Sequence, residues 1–122
     1  YIDRLLPRQV IEKLIEKNIN PINIKVSVGP YIHKESYVYY NYPSWTKSYV
    51  WNNAIEQKED GYHIDMKKAI EVQLLELGIL KDNIEFSNID TYTNSNYPSH
   101  SAYTKGNKEK FGRFMVCAMF KI

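Results

Sequence analysis

Residues 22–30, with the sequence INIKVSVGP, decide the fold class because they alternate strictly between apolar and polar side chains and then end at a Gly-Pro pair. Strict alternation is typical of a β-strand with one buried face. The proline that follows cannot donate to a strand ladder, so the predicted strand covers residues 22–28. Its isoleucines and valines are expected to face the core.

A helix is predicted immediately before this strand, over residues 6–17. Its apolar side chains recur at offsets that place them on one face of a helix. Pro7 suits the first helical turn, since its missing N–H needs no partner there. A helix, a short turn, a strand and a Gly-Pro loop together form an α/β building block. The apolar residues of the helix are Leu5, Leu6, Val10, Ile11, Leu14 and Ile15.

A second strong helix pattern covers residues 66–77. Asp65 is placed to cap its N-terminus, and Gly78 stands where a left-handed residue commonly ends a helix. Residues 83–86 alternate again and are predicted to form a strand. Other short elements are predicted as a helix over residues 44–53, a strand over 62–64 and a turn over 57–61.

The last third of the chain combines a long polar stretch with an apolar end. Residues 88–110 are predicted to form a loop, and loops of that length are usually functional or disordered. Residues 111–120 are apolar on both faces, which predicts a strand in the middle of a sheet. We therefore expect one α/β domain with a mixed sheet, flanked by the helices at 6–17 and 66–77.

Composition excludes several classes of protein. The chain of 122 residues is 43% hydrophobic and 25% charged, as in soluble globular proteins, which excludes disordered, collagen-like and membrane-spanning classes. A net charge of +2 lacks the strong positive field of a duplex-binding module. The single cysteine, Cys117, lies in an apolar run, which excludes an internal disulfide framework and predicts a cytoplasmic location.

No metal-binding pattern is visible in the sequence. His33, His63, His100 and Cys117 lack the spacing of C-x-x-C or H-E-x-x-H. The apolar neighbours of Cys117 also argue against a nucleophile, because they raise a thiol pKa. We interpret the histidines as surface or partly buried side chains.

Two groups of residues could bind other ligands. Lys105, Lys108 and Arg113 form a basic cluster, which is either a solvated charge run or an anion clamp. A group of tyrosines could stack on nucleic-acid bases, but tyrosine is common in strands and the net charge is low. These tyrosines are Tyr37, Tyr39, Tyr40 and Tyr42.

Three segments resemble one known family in their order and spacing. GPYI at residues 29–32, with Tyr37 after it, is similar to G-P-x-I-x-x-x-x-Y/F-E-V. Residues 64–84 are similar to D-L-x-x-x-N-x-x-Q-L-x-x-x-G-V-x-x-x-x-I. DTYT at 90–93 precedes a Ser- and Tyr-bearing loop and GRF at 112–114. Together they resemble the C-terminal half of polyphenol oxidase or laccase-domain proteins, the YfiH-like enzymes.

The resemblance implies a layered α/β/β/α sandwich and the activity of a zinc-dependent purine nucleoside phosphorylase, with adenosine deaminase side activity. The expected substrates are inosine or adenosine, with phosphate. In that family the zinc ligands are two histidines and a cysteine. They lie upstream of the region that this chain resembles, and none of its histidines nor Cys117 matches them. No catalytic residue is assigned here. The residues expected to line the substrate site are Gly29, Pro30, Tyr31, His33, Tyr103, Lys105 and Arg113.

Departures from the family pattern leave a second interpretation open. Val38 replaces a glutamate, and SAYTK at residues 101–105 replaces S-Y-R-R, so Lys105 substitutes only partly for an arginine pair. The alternative is a non-catalytic, degenerate member that serves as a binding or interaction module. In either case the chain is expected to be part of a domain whose exposed sheet needs covering. The expected partner is an N-terminal half, another chain or a second copy, rather than nucleic acid or a membrane.

Overall fold

The computed structural model describes residues 1–118 and confirms the α/β class. The helices are α1 (Leu6–Glu16), α2 (Met66–Glu76) and α3 (His100–Thr104). The strands are β1 (Val26–Val28), β2 (Val38–Tyr39), β3 (Ile55–Lys58), β4 (Gly61–Ile64) and β5 (Ile84–Phe86). Single 3₁₀ turns lie at Pro21–Asn23, Tyr49–Trp51 and Lys81–Asn83. Parallel pairing joins β1 to β5, and antiparallel pairing gives the order β2-β4-β3 in a second sheet.

Both strongly patterned helices are present where the sequence predicts them. The Asp65 side chain accepts a hydrogen bond from the Lys68 N–H at 3.1 Å, which caps α2. Gly78 follows α2 with a φ of 91°, a conformation that glycine adopts without strain. The apolar face of α1 is only partly covered, because Ile11 is buried whereas Leu6 and Val10 are exposed.

The core has two clusters that share α2. One joins α2 to β4 and to the turn before β3, and it contains Val50, Trp51, Ala54, Ile64 and Ala69. The other joins α2 to α1 and contains Ile11, Ile24, Leu74 and Ile79. Gln73 is fully buried on α2, where its side-chain oxygen accepts from the Arg8 N–H at 3.1 Å. This bond ties the start of α1 to the middle of α2.

The strand predicted over residues 22–28 is wrong in its first half. Pro21–Asn23 forms a 3₁₀ turn instead, because the Asn20 side chain accepts from the Ile22 N–H at 3.2 Å. Ile22 is therefore 50% exposed rather than core-facing. Ile24 is buried as predicted, and the strand itself begins at Val26.

The helix predicted over residues 44–53 is also wrong, apart from the turn at Tyr49–Trp51. The Asp3 carboxylate accepts from the Lys47 and Ser48 N–H groups, both at 2.8 Å. In a longer helix these two N–H groups would point along the helix axis. Here they point to the side chain of a residue that is distant in sequence, so the helix does not form. The turn predicted over 57–61 is shorter than expected, since residues 57 and 58 belong to β3 and Gly61 begins β4.

The C-terminal part differs from the prediction as well. The long polar stretch contains α3, which Ser99 caps by accepting from the Ala102 N–H. Residues 111–118 form no strand, because none of the strands described pairs with them. Met115 is 82% exposed, and Cys117 is exposed rather than buried. Residues 119 and 120 of the predicted strand lie outside the described residues.

Within residues 1–118, no helix has the length and apolar character that crossing a membrane requires.

Candidate functional site

Two loops leave the same edge of the parallel sheet. Residues 29–37 follow β1 and residues 87–94 follow β5, and ligands commonly bind at this edge in α/β proteins. Strand-like pairing resumes beyond the Gly-Pro pair, where the Thr91 N–H donates to the Tyr31 carbonyl at 3.0 Å. The two loops are therefore held side by side.

Asp90 connects the two loops through its carboxylate. One oxygen accepts from the Tyr92 N–H at 2.9 Å and from the His33 N–H at 3.4 Å. The other oxygen accepts from the Ser36 hydroxyl at 2.5 Å. Hydrogen bonds to a charged acceptor are among the stronger ones in proteins. One side chain of the second loop thus binds two residues of the first, in addition to the backbone bond at Tyr31.

A cleft of about 520 Å³ lies between the first loop, β5 and the beginning of α2. It brings together four lysines, three acidic residues and several aromatic side chains. The lysines are Lys34, Lys67, Lys68 and Lys81, and the acidic residues are Glu35, Asp65 and Glu71. Its mixed charge with an excess of ammonium groups suits a ligand that combines an anionic group with polar atoms.

Tyr31 and His33 line this cleft as the sequence predicts, and their ring centroids are 4.6 Å apart. The Tyr31 ring also meets Phe86 edge to face at 6.0 Å. Burial raises the pKa of the Tyr31 hydroxyl, and nearby carboxylates raise it further, so this group stays protonated and can donate. The His33 Nε2 donates to the Ser87 carbonyl at 3.3 Å, which ties the ring to the second loop.

The other predicted site residues lie away from this cleft. Lys105 donates to the Val38 carbonyl at 2.7 Å, and its ammonium lies 5.7 Å from the centroid of the Tyr92 ring. Tyr103 and Arg113 both contact Phe111, at 5.8 Å and 5.9 Å from its ring centroid. Tyr92 and Phe111, which these three residues contact, line a second cleft of about 560 Å³. Its other lining residues are 93, 95–98, 107–110 and 112.

Gly29 and Pro30 connect β1 to the first loop. A Cβ atom on Gly29 would lie 2.9 Å from Cγ2 of Val116, so the absence of a side chain here lets the C-terminal residues approach closely. Gly29 thus lies against the apolar C-terminal segment. The cleft-lining residues of this loop follow the Gly-Pro pair and are Tyr31, His33, Lys34 and Glu35.

Lys108 from the basic cluster orders the second loop. Its ammonium donates to the Thr91 and Asn94 carbonyls, both at 2.8 Å, and to the Tyr97 carbonyl. A lysine ammonium has three donors, and all three are used here. This member of the cluster is therefore structural in the described conformation.

His63 joins the first loop to the β3–β4 hairpin. It is buried, its Nδ1 lies 2.8 Å from the Lys34 carbonyl and its Nε2 lies 2.7 Å from a carboxylate oxygen of Asp60. Both neighbours accept hydrogen bonds, so both ring nitrogens donate when the imidazole carries a proton on each. The bond from His63 lowers the pKa of the Asp60 carboxyl.

The lowered pKa of Asp60 predicts an acid-sensitive stability. Its contribution is fully present above the ordinary aspartate pKa of about 4, and it is lost as pH falls through the lower pKa of the folded state. In urea unfolding at pH 6 and pH 2.5, Asp60→Asn should therefore lose less stability on acidification than the unchanged chain. The neighbouring Glu59→Gln is the control and should behave like the unchanged chain. Equal acid sensitivity in the chain and in Asp60→Asn would contradict the assigned pair.

The described histidines and cysteine do not fit a zinc or copper centre. In residues 1–118, no group of three or more His, Cys, Asp or Glu side chains could hold a metal ion. Both ring nitrogens of His63 and the Nε2 of His33 lie against protein acceptors, and the His100 ring lies against Phe111. The zinc ligand set that the resemblance implies therefore has no counterpart in this part of the chain.

The sequence alone did not identify several residues of the cleft. Lys67, Lys68 and Phe86 lie 34, 35 and 53 residues after His33 along the chain, so their proximity to it carries no local signal. Asp90 stands in the DTYT segment used for the family resemblance. The family resemblance of that segment is the sequence feature that points to Asp90.

A family model described as multi-copper polyphenol oxidoreductase laccase matches residues 4–121. Neither the curated proteins nor the solved structures include a significant match to this chain.

Proposed function

The chain belongs to the multi-copper polyphenol oxidoreductase laccase family, and we propose that it forms the C-terminal part of a domain that phosphorolyses purine nucleosides such as inosine or adenosine. In this reaction phosphate replaces the base at the sugar carbon, and the products are a free purine and ribose 1-phosphate. One observation carries the proposal: the cleft beside Tyr31 and His33 combines ammonium groups with aromatic and hydroxyl side chains.

The proposed roles follow from the chemistry of the cleft. Lys67 and Lys68, at the start of α2, attract the phosphate because ammonium groups bind phosphate oxygens well. The protonated Tyr31 hydroxyl donates to an oxygen or nitrogen of the nucleoside. Asp90 is a positioning residue, since it holds the backbone of His33 without lining the cleft itself.

We propose a second group of contacts on the long loop and the C-terminal segment. Tyr103, Lys105 and Arg113 stand beside the second cleft, and Lys105 and Arg113 carry the positive charge that a phosphate would need. Their present partners are Phe111 and the Val38 carbonyl. We therefore propose that these residues contact the substrate when a partner is bound at the C-terminal segment.

The proposed partner is an N-terminal half, another chain or a second copy. Support comes from the exposed apolar residues of the C-terminal segment, since contiguous apolar surface marks interaction sites. These residues are Phe111, Phe114, Met115 and Val116. The same partner would supply the ligands of the zinc that the family resemblance implies, and we assign no step to that metal here.

Kinetics of the native protein isolated from its source test the cleft assignment. Lys67→Ala combined with Lys68→Ala should raise the KM for phosphate by roughly tenfold, because two ammonium contacts are lost. Lys105→Ala combined with Tyr103→Phe tests the second group in the same way. The exposed pair Lys13→Ala and Lys17→Ala on the α1 side is the control and should leave KM unchanged. An unchanged KM in the first double variant would remove phosphate from this cleft.

A second candidate function is a non-catalytic interaction module. The SAYTK segment favours this function, because it has Lys105 where the family pattern has an arginine pair. The Lys105 ammonium is bound to the Val38 carbonyl. This function predicts that the purified native protein contains no stoichiometric metal and that it forms a stable complex. Stoichiometric zinc or copper, measured by mass spectrometry, would contradict it.

A further inference from the structure

A separate aromatic cavity of about 280 Å³ lies between the N-terminal residues, the end of the first loop, the segment before β3 and the first residue of α2. Its walls include Tyr37, Trp45, Trp51 and Met66, and Asp3 lies at its side. Tyr37 stacks on Trp45 at 6.2 Å between centroids, and Trp45 meets Trp51 edge to face at 5.3 Å. The aromatic walls are therefore fixed against one another before any ligand arrives.

The Asp3 carboxylate gives this cavity a negative charge. One of its oxygens accepts from Trp51 Nε1 at 2.9 Å, in addition to the Lys47 and Ser48 N–H groups. These bonds lower the pKa of Asp3, so it stays ionised at neutral pH. A carboxylate beside aromatic faces disfavours an anionic ligand such as a phosphate ester.

We propose that this cavity binds a small quaternary ammonium ion of about the size of choline. Aromatic faces attract a cation through their ring quadrupoles, and tryptophan is the strongest of the aromatic side chains in this respect. A methylated ammonium gives up little hydration on entering such a site, and the carboxylate balances its charge. The assignment rests on Trp45, Trp51, Tyr37 and Asp3, and it is independent of the proposed phosphorolysis.

Tryptophan fluorescence tests the proposal directly, because both tryptophans of the chain line the cavity. Choline chloride is titrated into the protein, with sodium chloride at equal ionic strength as the salt control. The neutral probe is 3,3-dimethyl-1-butanol, which has the same shape without the charge. We expect saturable quenching by choline and binding of the neutral probe that is at least roughly tenfold weaker.

Matched variants separate charge from shape. Asp3→Asn keeps an oxygen that can accept the three N–H bonds but removes the charge, so choline affinity should fall by roughly fivefold or more. Trp45→Leu removes an aromatic face and should weaken binding by a similar factor, whereas Trp45→Phe should retain most of it. Tyr40→Leu, at an exposed tyrosine outside the cavity, should change nothing.

Urea unfolding of each variant shows whether it is folded. The comparison of choline with its neutral analogue uses the unchanged protein, so it tests the proposal even if a variant fails to fold. Saturable, charge-selective binding that depends on Asp3 supports the proposal. Equal affinity for choline and the neutral analogue would overturn it, as would the absence of quenching beyond that caused by sodium chloride.

Discussion

Asp90→Ala is expected to lower the turnover of inosine by the native protein by about a hundredfold. The substitution removes the acceptor for the His33 N–H and the Ser36 hydroxyl, so residues 33–36 of the first loop lose the carboxylate that holds them. The bonds from Thr91 to Tyr31 and from His33 to Ser87 remain. A displacement of about 1 Å at a reacting site is enough for an effect of that size. Steady-state hypoxanthine release measures it, and urea unfolding should show a loss of about 2 kcal/mol from the missing hydrogen bonds.

The conservative variant distinguishes positioning from general damage. Asp90→Asn keeps an oxygen for the two backbone N–H groups, and its amide can donate to the Ser36 oxygen, so most of the turnover should return. Asp82→Ala removes an exposed aspartate in the turn before β5 and should leave turnover unchanged. Turnover in Asp90→Ala equal to that of the unchanged protein would show that the loop link has no functional role.

Ile64→Ala is expected to lower the free energy of unfolding by about 4 kcal/mol, the largest stability effect predicted here. Ile64 ends β4, is 0% exposed and packs in the cluster that α2 covers. Removing three carbon atoms from such a position loses their burial and leaves a cavity that the neighbours fill only partly. Urea unfolding followed by circular dichroism measures the change.

Two variants provide the scale for this prediction. Ile64→Val removes one carbon and should cost only about 1 kcal/mol. Ile22→Ala removes the same atoms as Ile64→Ala from a side chain that is 50% exposed, so its effect should be below about 1 kcal/mol. Equal losses at positions 22 and 64 would mean that the assigned core is wrong.

Local patterns predicted the elements whose signals lie within the element itself. The helix α2 carries its own cap at Asp65, its own apolar face and its own terminating Gly78, so its position follows from sequence. The same holds for β5 and for most of α1. Long-range contacts decided the failures: the Asp3 carboxylate binds the backbone at residues 47 and 48, where a helix was predicted.

The C-terminal segment failed as a prediction for a different physical reason. An apolar run indicates that residues will be covered, but it does not say which chain covers them. Phe114 and Met115 are exposed in the described structure, and no described strand pairs with the segment. A strand needs a neighbour for its backbone groups, so the pattern is consistent with the proposed partner.

The candidate site was predictable only in part. The resemblance in residues 29–37 pointed to Tyr31 and His33, which do share a cleft. It could not show that α2 brings Lys67 and Lys68 to the same cleft, because that contact depends on how the helix packs across the sheet. The location of Lys105 beside Val38, rather than beside His33, depends equally on the path of the long loop.

The phosphate dependence of inosine cleavage by the native protein, isolated from its source, tests the central proposal most directly. Hypoxanthine formation is followed with and without phosphate, and the sugar product is identified. We expect hypoxanthine to appear only with phosphate and in equal amount to ribose 1-phosphate. Absence of cleavage, or the same rate of cleavage without phosphate, would contradict it.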